Sequence, residues 1–113
     1  MKYELKPFNI KIKIVAPGGV VTDFATRSLK MTMDGESAYD ALLQNVLKAF
    51  GDNASVYSTA DQIAEVIYGA ATDGTDHLRY LAGQDAEQLY ASWQRMSNEA
   101  FFTMVNTKYG LGE

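Results

Sequence analysis

The sequence has no cysteine, which excludes a disulfide framework, thiolate zinc sites and thiol catalysis together. Its one histidine, His77, leaves no histidine pair to hold a metal, and no metal ligand is assigned. There is no basic surplus either. The 10 Lys and Arg against 14 Asp and Glu leave a net charge of −4, whereas a nucleic-acid binder normally carries a basic excess or stripe. No apolar run approaches a membrane span, and no charged-then-apolar leader opens the chain. The expectation is therefore no nucleic-acid partner, no membrane and a cytoplasmic setting. The 9 glycines are not spaced as a dinucleotide or phosphate-binding loop. What is present, 47% hydrophobic and 21% charged residues in a chain of 113, is the composition of one globular domain.

Charge is unevenly placed. The first 30 residues set Lys2, Lys6, Lys11, Lys13, Arg27 and Lys30 against Glu4 and Asp23 alone, and acids dominate the remainder. Lys11 and Lys13 alternate with Ile12 and Ile14, so a strand with one solvated face is favoured over a phosphate-facing patch.

Hydrophobic periodicity orders the chain. Residues 2–6 read as the tail of a helix stopped by Pro7. Asn9 to Ala16 alternates with a period of two and reads as a strand, ended by Pro17-Gly18-Gly19. Apolar steps of three and four from Ala38 to Phe50 predict an amphipathic helix over 36–50, closed by Gly51. Thr59-Ala60-Asp61-Gln62 has the form of a capping box opening a second helix, and Asp73-Gly74 turns the chain after it. A short strand is predicted over 77–82, then a helix from about Asp85 with Ala86, Leu89, Tyr90, Trp93 and Met96 on one face. A last helix is predicted over 98–109. Strand, helices, strand, helices makes a parallel βαβ unit in an α/β fold.

Few residues carry recognisable chemistry. Asp73 and Asp76 flank a turn but lack the longer ligand series of a calcium loop. Asp61 and Glu65 stand one helical turn apart with nothing to tune them as an acid/base couple. The Leu89/Trp93/Met96 stripe reads as core.

One segment is more specific. Pro17-Gly18-Gly19-Val20-Val21-Thr22, directly after a strand, resembles the Pro-Gly-x-x-x-Thr loop of the classical short-chain dehydrogenase/reductase family, which meets the nicotinamide in that family. Three further segments resemble it collinearly. Residues 3–10 look like the end of the helix bearing the catalytic Tyr and Lys. Residues 58–64 look like the helix before the last strand, and residues 79–83 like that strand and its exit. The family's amino-terminal features are missing: the sequence has no TGxxxGxG loop and no Asn-Ala-Gly strand end, the catalytic Ser is absent, and no tyrosine has lysine four residues later.

The resemblance implies the carboxy-terminal part of a doubly wound, Rossmann-type parallel sheet. It divides the chain into residues 1–23 (helix end, strand and nicotinamide-side loop), 24–50 (helical substrate lobe), 58–83 (helix and last strand) and 84–113 (helical extension). It implies NAD or NADP as cofactor, bound only together with the missing amino-terminal half, with Pro17, Gly18, Val20 and Thr22 on its nicotinamide side. Phe24, Met31, Met33 and Tyr39 would wall a pocket for a hydrophobic alcohol or carbonyl compound. No catalytic residue is assigned, so the chain is expected to be inactive alone. Self-association as a homodimer or higher, or pairing with the missing half or an intact family member, is expected because unpaired strand edges invite it. The alternatives are a naturally short, non-catalytic interaction module derived from that fold, and an unrelated small α/β protein.

Overall fold

A computed structural model describes residues 1–30 and 38–111. Strand β1 (Ile14–Pro17) pairs in parallel with β4 (Arg79–Ala82), in the register Ile14 to Arg79 through Pro17 to Ala82. A second parallel pair joins β2 (Val20–Val21) to β3 (Ser58–Thr59). Helices α2 (Asp40–Asn53) and α3 (Ala60–Thr72) lie between the strands in sequence, and α4 (Gln84–Arg95) and α5 (Asn98–Tyr109) follow β4. Alternating strands and helices with parallel pairing make this a doubly wound, Rossmann-like α/β arrangement, as the sequence implies.

The helix boundaries follow local chemistry. The Thr59 hydroxyl accepts from the Gln62 N–H at 3.2 Å, and the Gln62 side chain accepts from the Thr59 N–H at 2.8 Å, so the capping box is complete. Ser97 caps α5 by accepting from the Ala100 N–H at 3.2 Å. Gly110 ends α5 in the left-handed conformation, φ 61°, and Gly74 turns the chain after α3 with φ 69°. These are the stops the sequence predicts.

Several boundaries need correction. The strand expected from Asn9 begins at Ile14, because its partner β4 reaches back only to Arg79, and Asn9 itself turns left-handed with φ 54°. The strand expected over 77–82 begins at Arg79, although the Leu78 carbonyl still accepts from the Ile14 N–H at 2.7 Å. The helix at the start, α1 (Lys2–Leu5), gives way to a tight 3₁₀ turn, Lys6–Phe8, that accommodates Pro7 near its start. Gly51 does not close α2, which runs on to Asn53; residues 36 and 37 of the predicted helix lie outside the described residues. The β2–β3 pair was not anticipated, since two-residue strands carry no periodicity.

The lysines expected on a solvated strand face are engaged. The Lys13 ammonium donates to the Asp73 carboxylate and to the Tyr80 hydroxyl at 3.2 Å, while Lys11 donates to the Gly74 carbonyl at 2.6 Å. Tyr80 also donates to Asp73, and Thr75 donates to it from its backbone N–H at 2.9 Å and its hydroxyl at 3.0 Å. Asp73 thus ties the turn after α3 to Lys13, just ahead of β1, and to Tyr80 in β4. Lys13 foremost, then Tyr80, holds its carboxyl well below the usual carboxylate range.

Candidate functional site

The site is built where β1 and β4 end side by side. β1 runs into Pro17-Gly18-Gly19, and β4 exits through Gly83 into the first turn of α4. The Gly18 N–H donates to the Ala82 carbonyl at 3.0 Å, so the loop leaves the ladder only after its last rung. Gly19 is then held at both ends: its carbonyl accepts from the Ser58 N–H at 3.0 Å, and its N–H donates to the Asp85 carboxylate at 2.6 Å.

Glycine is required here by close packing. A Cβ on Gly18 would lie 2.0 Å from Asp85 Oδ1, and one on Gly19 would lie 2.2 Å from the Tyr57 ring. Gly83 has φ 108°, a conformation that side chains rarely adopt, and a Cβ there would stand 2.7 Å from Ser58 Oγ. Ser58 is buried, 7% exposed.

A cavity of about 610 Å³ opens beside this loop, within the usual range for small-molecule sites. Pro17, Gly18 and Gly19 form one end, and Leu81 lies on the sheet wall. The inward faces of α4 and α5 supply Leu89, Tyr90, Trp93 and Phe101, and α2 contributes Phe50. Tyr90 and Trp93 meet at a tilt, 5.8 Å between centroids, and Phe50 meets Tyr109 at 5.6 Å. Tyr57 closes the loop end, its hydroxyl donating to the Phe50 carbonyl at 3.2 Å. Burial pushes the Tyr57 phenol above its ordinary range, and the neighbouring Tyr109 and Asp85 add to the shift. The stripe expected on α4 therefore lines a cavity through Ala86, Leu89, Tyr90 and Trp93, whereas Met96 lies past the helix end.

The residues singled out from the sequence do not all meet there. Pro17 and Gly18 line the cavity. Val20 lies in β2, paired with Ser58, and Thr22 is exposed, its hydroxyl accepting from the Phe24 N–H at 3.3 Å. Phe24, 60% exposed, opens a wide turn closed by the Leu29 N–H donating to its carbonyl at 2.8 Å. Tyr39, 73% exposed, sits at the entrance of α2. Met31 and Met33 lie outside the described residues. Asp85 and Tyr57 are what sequence reading missed; the only available signal was an acidic residue two positions after a strand-ending glycine.

Two proteins of Schizosaccharomyces pombe, each named only as an uncharacterized oxidoreductase, are 28% identical to the chain over 111 residues, covering 98% of it. This chain is a distant relative of oxidoreductases. It spans about half the length of those relatives, 46% of each. No family model matches the chain. No solved structure matches it either. Among the described residues no group of His, Asp and Glu side chains is placed to hold a metal ion, and no helix is long and apolar enough to cross a membrane.

Proposed function

We propose that this chain is the carboxy-terminal, nicotinamide-side portion of a NAD(P)-dependent short-chain oxidoreductase acting on a hydrophobic alcohol or carbonyl compound, and that it does not turn over substrate alone. The observation that carries this reading is the Pro17-Gly18-Gly19 loop at the carboxyl ends of paired parallel strands, with an apolar cavity beside it. Open α/β sheets bind their ligands at that edge.

The residues present fit the nicotinamide end of such a cofactor. By the resemblance Thr22 is the donor to the carboxamide oxygen; its hydroxyl accepts from the Phe24 N–H and is exposed, outside the residues that line the cavity. Pro17 and Gly18 present a rigid edge to the cavity, and Val20 follows in β2. The phosphate end has no counterpart here, because no glycine-rich phosphate loop exists in the sequence. Bound, the cofactor supplies hydride chemistry. The chain's part is to orient one ring face and to exclude water with Leu89, Tyr90, Trp93 and Phe101. Residues 24–50 serve as the substrate lobe in this reading, and residues 84–113 as the outer wall.

The test is a fusion that places this chain behind the preceding portion of one of the fission-yeast oxidoreductases. The fusion is expected to bind NAD(P)H and reduce a hydrophobic ketone, while the isolated chain does neither. Within it, Thr22→Val is expected to weaken cofactor binding by about 1 kcal/mol. Turnover by the isolated chain, or a folded fusion that binds no nicotinamide nucleotide, would overturn the proposal. The second reading, a non-catalytic interaction module, draws on the exposed Phe8, Ile67, Tyr68 and Phe102 side chains.

A further inference from the structure

We propose that Asp85 is a positioning residue that sets the shape of the Pro17-Gly18-Gly19 loop; its consequence for catalysis rests on the dehydrogenase reading above. Three segments hold this loop. β4 takes the Gly18 N–H through the Ala82 carbonyl at 3.0 Å, β3 supplies the Ser58 N–H to the Gly19 carbonyl at 3.0 Å, and α4 takes the Gly19 N–H through Asp85 at 2.6 Å. The first two are backbone bonds that almost any sequence would make. The third depends on one side chain.

The surroundings are cut to that side chain. The Gly18 Cβ position lies 2.0 Å from Asp85 Oδ1 and 2.3 Å from Oδ2, and the Gly83 Cβ position lies 2.9 Å from Oδ1. Two glycines on two different strand exits thus make room for one carboxylate. Asp85 Oδ1 is sealed from solvent and has no hydrogen-bond partner among the described residues, which is unfavourable for a carboxylate. The arrangement is accounted for by what Oδ2 does: it gives Gly19 a carboxylate acceptor, stronger than a neutral one. Asp85 also stands in the first turn of α4, where an anion is favoured by the helix dipole. Because α4 carries Leu89, Tyr90 and Trp93, Asp85 links the cavity wall to the loop at its end.

The experiment compares Asp85→Ala and Asp85→Asn in the ¹⁵N-labelled chain by amide hydrogen exchange. Asp85→Ala is expected to speed exchange at Gly19 by about 10- to 100-fold, while the Gly18 and Ile14 amides, whose acceptors are backbone carbonyls, stay protected. Asp85→Asn keeps an oxygen for the Gly19 N–H and is expected to recover most of the protection. A Gly19 amide that exchanges equally fast with Asp85 and with alanine overturns the proposal. So does a uniform acceleration across Gly18, Ile14 and Gly19, which marks a merely structural residue. In the fusion, Asp85→Ala is expected to lower kcat by up to about 100-fold with the ketone KM unchanged, and Asp85→Asn to restore it. A fusion that is inactive with Asp85 intact refutes the dehydrogenase reading, and the exchange data still decide whether Asp85 holds the loop.

Discussion

A Cβ on Gly19 would press on the Tyr57 ring at 2.2 Å, and an aromatic ring backed by its hydrogen bond to the Phe50 carbonyl has little room to yield. Gly51, inside α2, would meet nothing within 4 Å. Alanine at the two positions should therefore change stability in opposite directions. Gly19→Ala is expected to destabilise by about 1–3 kcal/mol through overpacking. Gly51→Ala is expected to stabilise by about 0.5–1 kcal/mol, because alanine loses less backbone entropy in a helix. Urea unfolding of both variants checks this, and equal effects would show that the loop is not packed as described. By local pattern Gly51 is a helix stop, and Gly18-Gly19 belong to a loop that ends a strand. Only the neighbours Asp85 and Tyr57, distant in sequence, separate a tolerant glycine from an obligatory one.

The turn after α3 depends on charge. Lys13, whose ammonium is held above its ordinary range chiefly by its hydrogen bond to Asp73, and Asp73, held below its own chiefly by the bond from Lys13, both favour the ionised pair in the folded chain. The depressed Asp73 contributes stability above about pH 3.9, lost as pH falls toward its folded value. The raised Lys13 contributes stability below about pH 10.4, lost as pH rises through its folded value. The melting-temperature gap between the natural chain and Asp73→Asn should thus be widest near neutrality and narrow at both extremes. A gap that does not change with pH would show that the ion pair contributes nothing beyond packing. The helices themselves were legible from capping chemistry, as at Thr59 and Gln62. The partnership of Lys13 with Asp73 was not, because the residues are 60 apart in sequence and meet only when β1 and β4 pair.

The molecule is open for its size. A chain of 113 residues packed as one compact domain has a radius of gyration of about 13 Å and an accessible surface of about 6,200 Å²; here they are 17.9 Å and 8852 Å². Among the described residues only Ala70 and Ala82, 3% and 1% exposed, are buried apolar side chains. An exposed surplus of this kind exceeds what a standard protein interface covers, about 1,600 Å² in total. The chain is therefore expected to bind an apolar dye strongly and to sediment above 12.5 kDa in a concentration-dependent way. On the proposed carboxy-terminal reading, adding the preceding portion of a fission-yeast relative should suppress both effects. A monodisperse monomer without dye binding would contradict this reading of the surface.

Sequence alone determined what depends on near neighbours: the parallel α/β order, the cap at Thr59, the turn at Gly74, the end of α5 before Gly110, and the apolar face of α4. Each follows from backbone periodicity or from a side chain bonding within a few residues of itself. Tertiary structure decided where β1 begins, because a strand extends only as far as its partner, and it decided that β2 and β3 pair at all. It also placed Phe24 and Tyr39 on the surface and brought Asp85 and Tyr57 to the glycine loop. Those contacts arise only when segments separated by tens of residues are brought together by the pairing of β1 with β4, and no local pattern encodes which side chains then meet.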